Sequence, residues 1–172
     1  MPQYRGVGQA KPMAVRQYVP RNYPFSFTNG VQASYPEVEP DTGMIRLLGH
    51  CVVEDYGTIL NPQLVDEQVG GGVVQRLGAA LFEQCRYDER GQMLNGSMAD
   101  YLVPMAVETP DAAVGHVVSP TADGELGAKG AGEAGTAAAV AHAVTDALAP
   151  FQAAITEIPL TPEVILRALG RI

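Results

Sequence analysis

Between Gly127 and Thr136 the chain reads Gly-Ala-Lys-Gly-Ala-Gly-Glu-Ala-Gly-Thr. Glycine loses more conformational freedom on folding than any other residue, so this run is a poor strand or helix interior. It predicts a loop. The apolar stretch that follows predicts a helix from Thr136 to Leu148, with Val140, Val144 and Leu148 on one face. A glycine-rich loop lets backbone approach a ligand closely, and the helix start adds unpaired N–H groups and a positive dipole end. Glu133 is the one carboxylate inside the run, which suits a reacting group held against a bound cofactor or substrate.

The rest of the chain must supply the scaffold. Its 172 residues favour one domain with a real core. With 47% hydrophobic and 17% charged residues, the composition is that of a globular protein. The net charge of −8 and the lack of a basic stripe argue against nucleic acid or an anionic membrane as partner. No apolar stretch is long enough to span a bilayer, and no signal-peptide core opens the chain. Cys51 and Cys85 lack CxxC spacing and read as reduced thiols of a cytoplasmic protein. His50, His116 and His142 are far apart and read as structural, with no metal site.

Residues 1–27, rich in Pro, Tyr and Arg, read as an extended arm. The domain proper is expected over 28–172. Val31–Val38 predicts a strand that Pro36 confines to an edge or a bulge. After the turn signal Pro40-Asp-Thr-Gly43, Ile45, Leu47, Cys51 and Val53 alternate with Arg46, Leu48, His50 and Glu54. That predicts a second strand, paired as a hairpin with one half-buried face.

Asn61-Pro62 opens a helix whose stripe is Val65, Val69, Val73, Leu77 and Leu81. Gly70-Gly71-Gly72 lies inside it, at a cost of about 1 kcal/mol per glycine. Tyr101–Pro104, Val114–Val118 and Ala154–Ile158 are short strand candidates. Thr161 caps a last helix that Pro162 starts and Gly170 stops. The fold class is α+β.

Gly130-Ala-Gly132-Glu-Ala-Gly135 satisfies GxGxxG, with Glu157 about where a ribose ligand would be sought. A dinucleotide-binding module requires that motif to follow a buried strand directly, and here a loop precedes it.

Five segments occur in one order: Asp55-Tyr-Gly-Thr-Ile-Leu-Asn-Pro62, Val69-Gly-Gly-Gly-Val-Val-Gln75, Asp100-Tyr-Leu-Val-Pro104, Gly127 to Thr136, and Glu157-Ile-Pro-Leu-Thr-Pro162. From about Phe25 to Leu169 the chain resembles the C-terminal part of the molybdenum-cofactor-binding large subunit of the xanthine dehydrogenase and aldehyde oxidase family. The carbon monoxide dehydrogenase and isoquinoline oxidoreductase large subunits are similar to it. It departs from the family pattern at Glu67, at Gly70-Gly71 and at Arg76, and the family's subunit continues far upstream.

The resemblance implies a molybdenum hydroxylase that is active only with partner subunits. The substrate would be an aldehyde or an N-heteroaromatic, hydroxylated at carbon with oxygen from water. Glu133 would be the general base beside molybdenum. Gln68, Lys129, Gly130, Ala131, Gly132 and Thr136 would line the molybdenum–pterin cofactor, in its cytosine dinucleotide form. No protein side chain would ligate the metal. Iron–sulfur clusters and FAD would sit on partner chains, since two isolated cysteines cannot hold a cluster.

Plainer readings stand beside these. Glu133 as a helix-start carboxylate would be worth about 0.3–1 kcal/mol. Gln68 and Gln75 also fit a solvated helix face, Lys129 a solvated loop, and Asp55 and Asp66 a turn and a helix start. The rival function is a non-catalytic assembly or scaffold remnant of such an enzyme.

Overall fold

The computed structural model describes residues 14, 15, 17, 19, 26–130 and 134–172. The expected arm thus falls almost wholly outside the described residues, as do Ala131, Gly132 and Glu133.

Three strands form a mixed sheet in the order β1 (Gly30–Val38), β2 (Ile45–Asp55), β3 (Ala112–Val117). β1 and β2 form the expected antiparallel hairpin, and β3 joins β2 in parallel. Helices α1 (Pro62–Leu81), α2 (Thr136–Ala147) and α3 (Pro162–Ala168) complete the elements. The fold is α+β, as the sequence predicts. α2 lies against β1 and α1, and α1 also meets β3.

Both helix starts follow their signals. Asn61 Oδ1 accepts the Leu64 N–H at 3.3 Å, and Thr161 Oγ1 accepts that of Val164 at 3.4 Å, each with Pro at the first helical position. The α1 stripe is buried at Val69, Val73, Leu77 and Leu81, with Val65 half-buried. It packs with Val140, Val144 and Leu148 of α2, Val52 of β2, and Leu160 and Ile165 at the α3 end. Burying each such side chain contributes roughly 1.5–3 kcal/mol, which outweighs the glycine cost within α1.

The β1–β2 register carries a correction. Tyr35 pairs with Gly49 and Pro36 with Leu47, so Leu48 is an extra residue on β2. The irregularity falls at Pro36, where the sequence places it, and the extra residue lies on the partner strand. One extra residue inverts which face each later side chain takes. Leu47 points inward, but after Leu48 the inward residues are His50, Val52 and Glu54, while Cys51 and Val53 are exposed. The half-buried face expected to carry Cys51 and Val53 instead carries a histidine and a carboxylate.

Two strand candidates are not strands. At Ala154–Ile158 the main chain heads for the end of α1, where Leu160 N donates to Ala80 O at 2.7 Å, and finds no sheet edge. At Tyr101–Pro104 the chain leaves a local turn, closed by Tyr101 N donating to Ser97 O. Among the described residues no helix is long and apolar enough to cross a membrane.

Candidate functional site

The end of β2 organises the site. Glu54, Asp55 and Tyr56 are consecutive, and all three are buried. Alternation along the strand sends Glu54 and Asp55 to opposite sides, so each meets a different flank of the glycine-rich run.

Asp55 takes the Lys129 flank. Lys129 Nζ lies 2.6 Å from Asp55 Oδ2, with side-chain exposures of 9% and 1%. Asp55 Oδ1 accepts the Gly57 N–H at 2.9 Å, which makes the turn role read from sequence only half of what this residue does. The lysine hydrogen bond first, and the Gly57 N–H second, hold the Asp55 carboxyl below its ordinary pKa of 3.8. The backbones join as well: Lys129 N donates to Tyr56 O and Thr58 N to Gly127 O, both at 2.9 Å. Gly57 has φ +63°, and a Cβ there would strike the Gly127 carbonyl oxygen.

Glu54 takes the Thr136 flank. Gln32 Nε2 donates to Glu54 Oε1 at 2.7 Å, and Tyr56 OH donates to Oε2 at 2.8 Å. Thr136, fully buried, donates its hydroxyl to Gln32 Oε1 at 2.6 Å. His50 Nε2 lies 3.3 Å from the same oxygen, and Ser34 Oγ lies 2.9 Å from His50 Nδ1. Burial lowers the His50 pKa from 6.5. Burial, then the neighbouring Glu54 carboxylate, raises that of Tyr56.

An opening of about 340 Å³ lies between α1 and the Lys129 flank. Its lining includes Gln68, Lys129 and Gly130, three of the residues named from sequence, together with Thr58 and Asn61. Leu60 and Leu64, 62% and 60% exposed, give it an apolar wall. No described residue stands within 4 Å of where a Gly130 Cβ would sit. An apolar wall edged by a carboxamide, a hydroxyl and bare backbone suits a flat heterocycle with polar edges, and the donor set fits a pterin. Behind the opening, the Tyr56 ring meets the His116 ring edge-on at 5.6 Å, and His116 Nε2 lies 2.7 Å from Asp66 Oδ1 on α1.

Gln68, Lys129 and Gly130 are therefore brought together. Thr136 stands apart, buried with its hydroxyl turned to Gln32. Ala131, Gly132 and Glu133 lie outside the described residues. Sequence reasoning missed Gln32, Ser34 and Glu54, and read His50 only as structural. The one available signal was the spacing of His50 and Glu54 two residues either side of Val52, a core valine of β2. The GxGxxG segment follows a short turn in which Leu126 and Gly127 are left-handed, and no strand leads into it.

The family model of the molybdopterin cofactor-binding domain matches residues 4–110. The nicotine 6-hydroxylase large subunit of Paenarthrobacter nicotinovorans is 41% identical over 83% of this chain and 18% of its own length. The carbon monoxide dehydrogenase large chain of Afipia carboxidovorans is 34% identical over 85% of this chain and 18% of its own. The crystal structure of quinoline 2-oxidoreductase from Pseudomonas putida 86 superposes with a TM-score of 0.78 at 37% identity, covering 83% of this chain and 19% of that one. The chain thus spans about a fifth of the length of these relatives.

Proposed function

The chain belongs to the molybdopterin cofactor-binding domain family, and on that premise we propose that it forms one wall of the molybdenum–pterin pocket of a hydroxylating oxidoreductase. The observation that carries this reading is the convergence of Gln68 with Lys129 and Gly130 on one opening.

In this reading residues 28–172 are the cofactor-binding unit and 1–27 an arm that lies along other parts of the enzyme. Gln68 presents its carboxamide to the polar edge of the pterin, and Gly130 keeps that side of the pocket free of bulk. Lys129, neutralised by Asp55, contributes position more than net charge. When bound, the cofactor, in its cytosine dinucleotide form, would supply a two-electron redox centre for oxidation of the substrate carbon. Glu133 accepts the proton released as water-derived oxygen is transferred to that carbon. A carboxylate in that role contributes typically about 10²–10⁴-fold. Iron–sulfur clusters and FAD belong, in this reading, to partner subunits. Two of the three relatives above are named for N-heteroaromatics, nicotine and quinoline, which favours that substrate class over aldehydes.

The test is molybdenum and pterin analysis of the complete enzyme, purified with its partner subunits, beside a Gln68→Leu variant. Near-stoichiometric molybdenum and pterin in the wild type, with a several-fold loss in the variant, is the expected result. A wild-type complex free of both would leave the non-catalytic scaffold as the better reading.

A further inference from the structure

We infer that Gln32 is a positioning residue that fixes the start of α2, and through that helix start the rate of the reaction proposed above. The inference rests on the reading of Glu133 as general base.

Gln32 sits on the inward face of β1 and meets the start of α2 twice. Its Oε1 accepts the hydroxyl of Thr136, the first residue of the helix. Its aliphatic stem packs against Gly135, so closely that a Cβ there would lie 3.2 Å from Gln32 Cγ and Cδ. A side chain at 135 would press Gln32 back by a few tenths of an ångström.

The carboxamide has one orientation. Gln32 Nε2 donates to Glu54 Oε1, which leaves its Oε1 for Thr136 and His50. A neutral His50 must then carry its proton on Nε2, and Ser34 donates to Nδ1. Every side chain in the row Ser34, His50, Gln32, Thr136, Glu54, Tyr56 has a partner. Such a satisfied buried network resists displacement. An amide with two contacts at the first turn of α2, anchored by a buried carboxylate, restrains the helix start more tightly than packing alone. Reaction geometry depends on such restraint, since a misplacement of about 1 Å can cost about 10²-fold in rate.

The test uses the complete enzyme and compares wild type with Gln32→Met, Thr136→Val, Thr136→Ser and Glu133→Gln. Turnover is expressed per bound molybdenum, and hydrogen exchange is read at the Ala139 and Val140 amides in the first turns of α2. Gln32→Met and Thr136→Val are expected to lower kcat per molybdenum by up to about 10²-fold with little change in KM, and to speed exchange at those amides. Thr136→Ser, which keeps the hydroxyl, should recover most of both. Thr136→Val fits the buried site without a change of shape, so it remains informative if Gln32→Met fails to fold. Full turnover in Thr136→Val beside an inactive Glu133→Gln would overturn the positioning role and leave the base intact. A fully active Glu133→Gln would overturn the base instead. Unchanged exchange in Thr136→Val would overturn the positioning role whatever the rates.

Discussion

Lys129 Nζ lies 2.6 Å from Asp55 Oδ2 although 74 residues separate the two in sequence. The pair fastens one flank of the glycine-rich run to the end of β2, and its two members are not equivalent. Asp55 is 1% exposed, whereas a lysine ammonium on a long stem can swing toward water. Lys129→Met strands a buried carboxylate; Asp55→Asn strands a group that can relocate. Lys129→Met should therefore lower the melting temperature of the chain more than Asp55→Asn does. Equal losses in thermal scans at neutral pH would contradict that asymmetry.

Acid should act through the same carboxyl. Its folded pKa lies below 3.8, the ordinary value expected in the unfolded chain, chiefly through the Lys129 hydrogen bond. The unfolded state then binds the proton first as pH falls. The stability this pair contributes is complete above that ordinary value, declines below it, and is gone beneath the folded pKa. Urea unfolding followed from neutral pH to below 3.8 should show this loss in the wild type. Asp55→Asn should lack that component, and an identical acid limb in both proteins would exclude it.

His50 has a different window. Burial lowers its pKa from 6.5, so the unfolded chain takes up a proton before the folded one does. Its contribution to stability therefore falls as pH drops through 6.5 toward the folded value. Nitrogen-15 NMR at neutral pH should find the ring neutral with the proton on Nε2, as the Gln32 amide requires. A protonated ring, or the Nδ1–H tautomer, would contradict the network.

The glycines separate into two kinds. No described residue lies within 4 Å of a Cβ placed on Gly70 or Gly71, so Ala at either should stabilise the isolated chain by roughly 0.4–1 kcal/mol. Gly57 has φ +63° and abuts the Gly127 carbonyl, so Gly57→Ala should cost upward of about 1–2 kcal/mol. Denaturant titrations of the three variants decide this. Destabilisation by Gly70→Ala and Gly71→Ala in the assembled enzyme alone would show that another chain segment packs there.

What was legible in the sequence was local. Asn61-Pro62 and Thr161-Pro162 mark helix starts because a cap side chain and a proline act within one turn, and both helices begin there. The valine and leucine stripes of α1 and α2 mark the buried faces for the same reason. Asp55 and Gln68 could be named, but the partner of Asp55 is an ion pair across 74 residues, which no spacing encodes. The inward turn of His50 and Glu54 was hidden by the extra residue Leu48 on β2. Simple alternation carried across a bulge assigns every later side chain to the wrong face. Ala154–Ile158 has strand composition, yet it joins no sheet, and just beyond it Leu160 N bonds to Ala80 O at the end of α1.

The central claim is that this chain holds the base of a molybdenum hydroxylase, and Glu133→Gln tests it most directly. The substitution keeps size and polarity but cannot accept a proton. The measurement is the rate of cofactor reduction by substrate in wild-type and Glu133→Gln enzymes matched for molybdenum content. The account predicts retained cofactor and a rate lowered by at least about 10²-fold. A Glu133→Gln enzyme within a few-fold of wild type would contradict it and leave Glu133 as a helix-start carboxylate.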